Sequence, residues 1–248
     1  MNTQEYKKFY DEVGREIGWD FSKLKISQEG VKWDFYKEVV EACKPTDVLL
    51  DVGTGGGEAL LSIADQAQLL IGIDLSAGMI ETAKRNLQLA DIHNVRFLEM
   101  DVNQLMFPDH FFQVISCRQS VFNAREVTRV LTNDGVFFTQ QVRENDKLNL
   151  KMAFGRGQAY GTPAGTLQNQ YVNELRKAGL ADIQVLEYDA AEYYETSEDL
   201  IFLLKHTPII PNFGKEERDF EILEQFIKEN KTDKGIRTNS ARFMIVAR

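Results

Sequence analysis

Between residues 47 and 142, short apolar runs alternate with stretches of helical spacing. Strand candidates start at about 47 and occupy 69–74, 94–100, 111–117 and 135–142, while helix candidates fill about 57–67, 77–90 and 123–130. Runs that are apolar throughout suit strands covered on both faces, and their alternation with helices demands parallel strands joined by right-handed crossovers. A helix over 31–43, with Val31, Phe35, Val39, Val40 and Cys43 at roughly helical spacing, leads in ahead of the Lys44-Pro45-Thr46 break.

Beyond 142 the rhythm changes. Gly155, Gly157, Gly161, Pro163 and Gly165 concentrate in a stretch that reads as a mobile loop. A helix over about 167–178 and a strand over 180–188 resume the pattern, and 241–247 supplies a last strand. Between these two strands lie a helix candidate at 197–206 and an amphipathic one at about 215–229, with Phe220, Leu223 and Ile227 on one face. A simple hairpin needs no such insertion. It is expected to form, with the N-terminal forty residues, a cap over the carboxyl ends of the strands, where open α/β sheets bind ligands. The expected organisation is a single domain over 1–248, its core at about 45–188 and 236–248 and its cap from 1–44 and 190–235.

The strand ends carry the chemistry. The first run passes through Asp51 and breaks into Gly53-Thr54-Gly55-Gly56-Gly57, where glycine permits a tight turn and close backbone approach. The helix expected from Glu58 offers unpaired N–H groups. Asp74 closes the next run, where a carboxylate accepts hydrogen bonds from both hydroxyls of a ribose, and Asp101 follows the third. The dinucleotide fingerprint asks for a third glycine where this chain has Glu58, and a carboxylate in that first helical turn faces an incoming pyrophosphate unfavourably. A cofactor without phosphate fits better. Asp51 serves equally as a partner for the loop backbone or as a ligand contact, and Glu58 reads first as a residue complementing its helix dipole.

These ordered motifs, over roughly residues 45–142, resemble the class I S-adenosylmethionine-dependent methyltransferases, specifically the small-molecule type typified by the menaquinone and ubiquinone C-methyltransferases. The resemblance implies an α/β fold: a Rossmann-like, seven-stranded methyltransferase sheet, mostly parallel with the last strand antiparallel, under a helical cap. It implies S-adenosyl-L-methionine as cofactor, with Gly53 and Gly55 admitting its methionyl part and Asp51 and Thr54 in the same binding set. Asp74 takes the ribose hydroxyls, Asp101 the adenine amino group and the Val102 N–H a ring nitrogen. Leu75 and Met79 flank the adenine, while Ser116, Cys117 and Arg118 line the floor near the transferred methyl. The family pattern often has a histidine a few positions after the fourth strand. This chain reads Gln119-Ser120-Val121-Phe122-Asn123 there, which leaves the general base open.

Charge narrows the partner. Lys and Arg total 29 against 38 Asp and Glu, a net charge of −9, with no block of like charge resembling a nucleic-acid arm or membrane tract. Cys43 and Cys117 are the only cysteines and lack zinc-site spacing, and the three histidines are scattered, so neither a metal site nor a disulfide is expected. The first eight residues lack an apolar signal core and no stretch approaches the ~20 apolar residues that span a bilayer. A cytoplasmic monomer or homodimer with no membrane span is expected.

Methyl transfer from a sulfonium is an in-line displacement that disperses positive charge, so alignment and water exclusion dominate, and only a weakly acidic hydroxyl acceptor needs a base. Arg118, His206 and Tyr10 are the catalytic candidates, and Trp19, Trp33, Tyr160, Tyr193 and Tyr194 are either pocket or core aromatics. Arg118 equally suits a substrate carboxylate or a surface acid, and His206 before Thr207-Pro208 reads first as a helix end. The expected function is methylation of a small-molecule acceptor rather than nucleic acid. No Asn or Asp precedes a Pro-Pro-aromatic run after the fourth strand, the pattern that accompanies amide and amine methylation in this superfamily. Two alternatives stand beside it. Methylation of rRNA rests on a loose similarity of 203–208 to rRNA guanine-N1 methyltransferases, whose cysteine-rich zinc element has no counterpart in this sequence. It requires Arg143, Lys147, Lys151 and Arg156 to gather in one basic face. A non-catalytic S-adenosylmethionine-binding protein is suggested only by the missing histidine.

Overall fold

The computed structural model describes residues 3–248. Its strands are β1 (Ile26–Glu29), β2 (Val48–Val52), β3 (Leu69–Asp74), β4 (Val95–Glu99), β5 (Phe112–Arg118), β6 (Leu131–Val142), β7 (Ile183–Tyr194), β8 (Lys231–Thr232) and β9 (Gly235–Ala247). They form one sheet in the order β1-β7-β9-β6-β5-β2-β3-β4, with β8 paired to β9. The block from β4 to β6 is parallel throughout, and β9 enters antiparallel between β6 and β7. This is the Rossmann-like sheet that the motifs implied. The expected strands are all present, and β1 and β8 are additions. Both are short and polar, Ile-Ser-Gln-Glu and Lys-Thr, so neither carries an apolar signature.

The helices are α1 (Thr3–Ile17), α2 (Phe35–Ala42), α3 (Glu58–Leu61), α4 (Ala77–Ala90), α5 (Ala124–Val130), α6 (Leu148–Phe154), α7 (Thr166–Ala178), α8 (Ser197–His206) and α9 (Asp219–Asn230). Three expectations need correction. The helix expected over 31–43 starts only at Phe35, because Asp34 caps it by accepting from Tyr36 and Lys37 N–H. The helix expected over 57–67 divides into α3 and a 3₁₀ turn at Ala64–Gln66, and Ser62 turns its hydroxyl back onto Ala59 O, a bond that disfavours helix continuation. On α9 the buried positions are Asp219, Leu223 and Phe226, whereas Phe220 is exposed and packs on Phe213.

Successive strand residues feed two cores. Leu50, Ile71, Ile115, Phe137 and Ile245 pack under α5 and α7 on one face, and Leu49, Leu70, Val114, Phe138 and Met244 meet α2 and α4 on the other. Burial on both faces explains why the parallel strands read as unbroken apolar runs.

The long strands extend this sheet upward. The last β6–β9 pair is Val142 with Arg242, but β7 and β9 stay paired as far as Tyr194 and Ile236. The projecting ladder carries a third core, in which Leu150 and Phe154 of α6, Leu200 and Leu204 of α8, and Leu223 and Phe226 of α9 surround Tyr194 and Ile236. Helix α6 had no sequence signal, being only seven residues long.

The N-terminal segment crosses the same end of the sheet. Helix α1 lies on α4, where the Asp11 carboxylate accepts from Ser76 Oγ at 2.7 Å and from Gly78 N at 3.3 Å. Edge-on aromatic contacts then run from Tyr10 to Trp19, Trp19 to Phe21 and Phe21 to Phe202 on α8, joining the segment to the helices above the sheet.

Candidate functional site

The strand order reverses between β2 and β5, and the crevice beyond their carboxyl ends is where open α/β sheets receive ligands. Asp51 and Ser116 are register partners across this junction, and Ser116 Oγ donates to Asp51 Oδ1 at 2.6 Å. Tyr36 from α2 adds a weaker contact at 3.4 Å. Asp51 is 1% exposed, and this burial pushes its carboxyl up to about 6 against the opposing hydrogen bonds.

After β2 the chain folds over the end of β3, with Gly53 N and Thr54 N both donating to Ile73 O at 2.8 and 3.0 Å. Gly53 has φ +72° and a Cβ there would collide with the Ser120 side chain, so glycine is required twice over. Gly55, at φ +59°, passes beneath Trp19, whose Cβ would stand 3.0 Å from an added Cβ. Gly55 N donates to Asp74 Oδ2 at 3.1 Å, and Ser76 N donates to Oδ1 at 2.9 Å. Burial raises the Asp74 carboxyl, partly offset by these two N–H groups. Each of its oxygens still has a lone pair for a ligand hydroxyl.

Glu58 in α3 accepts from Trp19 N at 3.3 Å and from Asn86 Nδ2 at 3.4 Å, and burial raises its carboxyl also. It thus fastens the N-terminal segment over the glycine loop. Tyr10 stands beside Trp19, and its hydroxyl is pushed up first by burial, then by the charges of Tyr6 and Asp74.

Asp51, Gly53, Thr54, Gly55, Asp74 and Ser116 therefore share one crevice, with Tyr10 at its N-terminal wall. Met79 and Cys117 are buried next to it, and Leu75 is exposed at its rim. Asp101 lies two residues past β4, exposed, its Oδ1 accepting from Asn103 N at 2.8 Å; Val102 follows it, half-buried. Arg118 is exposed with its guanidinium 5.8 Å from the Tyr36 ring centroid. His206 is not part of this group. It sits on α8 with Nδ1 on Phe202 O at 2.8 Å and Nε2 3.5 Å from Glu16. Trp33, Tyr193 and Tyr194 are buried away from the glycine loop, and Tyr160 is exposed.

Sequence reasoning missed Ser120, Tyr36 and a cleft of about 280 Å³ next to the crevice. Gln119 and Gln141 at the strand ends, Arg143 and Glu144 beyond β6, Gln158 and Thr162 in the glycine-rich stretch, and Gln170 on α7 line it. None belongs to a sequence motif, since the chain brings them together only by folding the 155–165 stretch back over β6. Gln119 holds a left-handed backbone there, with φ of +56°.

The four cations that an RNA-binding face needs are dispersed in other roles. Lys147 and Lys151 are each 2% exposed, Arg156 is bound by Glu216 and Asp219, and Arg143 pairs with Glu187 at 3.1 Å. Among the described residues no helix is long and apolar enough to cross a membrane, and no group of three or more His, Cys, Asp or Glu is placed to hold a metal ion.

Residues 49–135 match the model of a family described as a methyltransferase domain. Over 102 residues the chain is 35% identical to the uncharacterized methyltransferase YcgJ of Bacillus subtilis (strain 168), a match covering 38% of this chain and 40% of that protein. Over 140 residues it is 24% identical to a ubiquinone biosynthesis O-methyltransferase of Coxiella burnetii, covering 53% of this chain and 58% of the relative. The chain thus spans about half the length of the curated relatives it matches. The crystal structure of YcgJ superposes with a TM-score of 0.58 at 21% identity, covering 86% of this chain and 96% of that one. The [4+2]-cyclase SpnF superposes with 0.62 at 18% identity, covering 100% and 97%. At these identities the structures establish the fold alone. Residues 49–135 thus resemble a methyltransferase domain, and the chain has the Rossmann-like fold of these structures.

Proposed function

We propose that the chain is an S-adenosylmethionine-dependent methyltransferase acting on a small-molecule acceptor. The observation that carries this reading is the Asp74 carboxylate, half-buried at the end of β3 and bonded to the Gly55 N–H of the glycine loop. One residue thus faces a ribose while it holds the backbone that admits the rest of the ligand.

The residues present fit such a cofactor and oppose a pyrophosphate. Asp51, Glu58 and Asp74 converge on the loop with Arg118 as the nearby cation, an arrangement that favours a sulfonium or ammonium group and repels phosphate. Asp74 is assigned to the ribose hydroxyls, Gly53, Thr54, Gly55 and Asp51 to the methionyl end, and Ser116 and Cys117 to the floor. Leu75, Met79, Asp101 and Val102 surround the adenine.

When bound, the cofactor supplies an electrophilic methyl group on a sulfonium. The chain's own part is to position and enclose. Trp19, fixed by Glu58, shields the glycine loop from water, and Tyr10 backs it. The dispersal of the four candidate RNA-contacting cations supports a small acceptor over RNA.

Calorimetric titration tests the reading. S-adenosylhomocysteine should bind and NAD should not. S-adenosylmethionine turnover with a metabolite extract should release S-adenosylhomocysteine. NAD binding in place of S-adenosylhomocysteine would overturn the cofactor assignment, and binding without turnover would mark a sensor.

A further inference from the structure

The 280 Å³ cleft shares a wall with the glycine loop. Ser120 faces Gly53 on one side, and the adjacent Gln119 lines the cleft on the other. Gln141 locks this wall by donating to Ser120 O at 2.7 Å and to Thr139 Oγ1 at 2.8 Å. A molecule in the cleft therefore lies one residue away from the methionyl end of the proposed cofactor site.

The lining is unusual in what it leaves unused. Among the described residues, the carboxamides of Gln119 and Gln158 make no hydrogen bond, and the buried Nε of Arg143 has no partner although its Nη1 pairs with Glu187. Buried polar groups are ordinarily satisfied, so the Arg143 Nε marks a ligand contact, and the half-buried Gln119 and exposed Gln158 carboxamides stand free beside it. Two non-glycine residues of the lining, Gln119 and Ala159, hold left-handed backbones with φ of +56° each. Such conformations persist where surrounding structure enforces them, as it does at binding sites.

The cleft also lacks a free base. Glu144 is its carboxylate, but Oε2 accepts from Gly165 N at 2.9 Å and Oε1 from Leu167 N at 2.7 Å, at the start of α7. It fixes the loop and is not poised to take a proton. A hydroxyl acceptor must then arrive already ionised, and Arg143 is the lining cation that meets an oxyanion.

Resting on the methyltransferase reading above, we propose that this cleft is the acceptor subsite and that it takes a compact phenol or enol, reacting as its oxyanion. The Arg143 Nε–H and the carboxamides of Gln119 and Gln158 bind the oxyanion and a neighbouring carbonyl or hydroxyl, and the carbon stems of the glutamines contact the flat faces. The acceptor gives its proton to bulk water before it is enclosed. In the cleft its oxygen forms the bond to the methyl carbon as the carbon–sulfur bond breaks, the electron pair remaining on sulfur. Oxyanion and sulfonium charges cancel, so no proton moves inside the site. The volume is at the low end for small-molecule pockets and accommodates a substituted ring rather than a long isoprenoid chain.

The test uses 4-nitrophenolate, whose visible absorption reports its environment, titrated into the protein with and without S-adenosylhomocysteine. Wild-type protein should bind it and shift its spectrum. Arg143→Gln should weaken binding about tenfold, Arg143→Lys should recover part of the loss, and Gln119→Leu should weaken it several-fold, all with unchanged circular dichroism. Across a series of substituted phenols, methylation rate against pH should follow the ionisation of each phenol. If S-adenosylhomocysteine binds but nitrophenolate does not, or if Arg143→Gln binds it equally well, the acceptor assignment is overturned while the cofactor reading stands. Failure of S-adenosylhomocysteine to bind overturns both.

Discussion

The Asp74 carboxylate holds the Gly55 N–H at 3.1 Å, so the residue that ends β3 also fixes the glycine loop that follows β2. On the proposed reading, replacing it removes a ligand contact and loosens the loop at once. A hydrogen bond to a charged group is worth about 1.5–3 kcal/mol, so Asp74→Ala should weaken S-adenosylhomocysteine binding roughly ten- to hundredfold in calorimetry. Unchanged affinity would take Asp74 out of the ribose role.

Asp51 makes the stability of the ligand-free protein depend on pH in an unusual direction. Burial raises its carboxyl to about 6, above the usual carboxylate value, so the folded state holds a proton that the unfolded chain has released. Its contribution is present below the unfolded value and is lost as pH rises through about 6, a change of at most about 3 kcal/mol. Urea unfolding of wild type and Asp51→Asn should therefore diverge between about pH 4 and 6, the wild type losing stability relative to the variant. Binding of a sulfonium should strengthen over the same window, because the ionised carboxylate is the form that attracts it. Parallel unfolding curves would show that Asp51 titrates as an ordinary carboxylate.

Glu58 is the clasp of the N-terminal segment, its Oε1 accepting the Trp19 N–H at 3.3 Å. Glu58→Ala should expose Trp19, shift its fluorescence to the red and speed proteolysis between 18 and 25, and S-adenosylhomocysteine binding should fall about fivefold. Glu58→Gln keeps an acceptor oxygen and should behave close to wild type. Equal proteolysis of all three proteins would mean that the segment is held by its aromatic contacts alone.

The parts of this molecule legible in the sequence are those whose physics is local. Apolar runs such as Leu69-Leu70-Ile71-Gly72-Ile73 declare a strand buried on both faces, and the Thr196–Asp199 capping box sets the start of α8 where the spacing places it. Asp51 and Asp74 come together because each ends a strand whose neighbour is fixed by topology. The cleft beside the glycine loop was hidden because Gln119, Arg143 and Gln158 belong to three separated segments with no spacing rule among them. Helix periodicity also failed where a side chain competed with it, as Asp34 and Ser62 do by bonding the backbone. Lys147 and Lys151 read as surface cations because charge is ordinarily solvated, yet both lie in the interior.

That interior holds a charge cluster which ties the projecting β7–β9 ladder to α6. Lys147 Nζ meets Glu192 Oε1 at 2.5 Å and Asn239 O at 3.1 Å, and Arg242 meets Asp146 at 2.5 Å. Burial pushes the Asp146 carboxyl up, but the adjoining Arg242 and Lys147 charges outweigh it and hold the group below the usual carboxylate range. Its stabilisation is thus present above the unfolded carboxylate value and disappears as pH falls through the lowered one. Removing one partner strands the others in low dielectric, so Lys147→Met should cost about 3–5 kcal/mol at neutral pH, while Lys147→Met with Glu192→Gln should recover part of it. The loss should narrow in acid, where Asp146 takes a proton and no longer requires a cation. Hydrogen exchange should locate the opening at α6, α8 and α9, since these helices pack on the ladder, and should leave β2 to β5 protected. Uniform loss of protection across the whole sheet would instead show that the projecting ladder and the parallel core unfold as one unit.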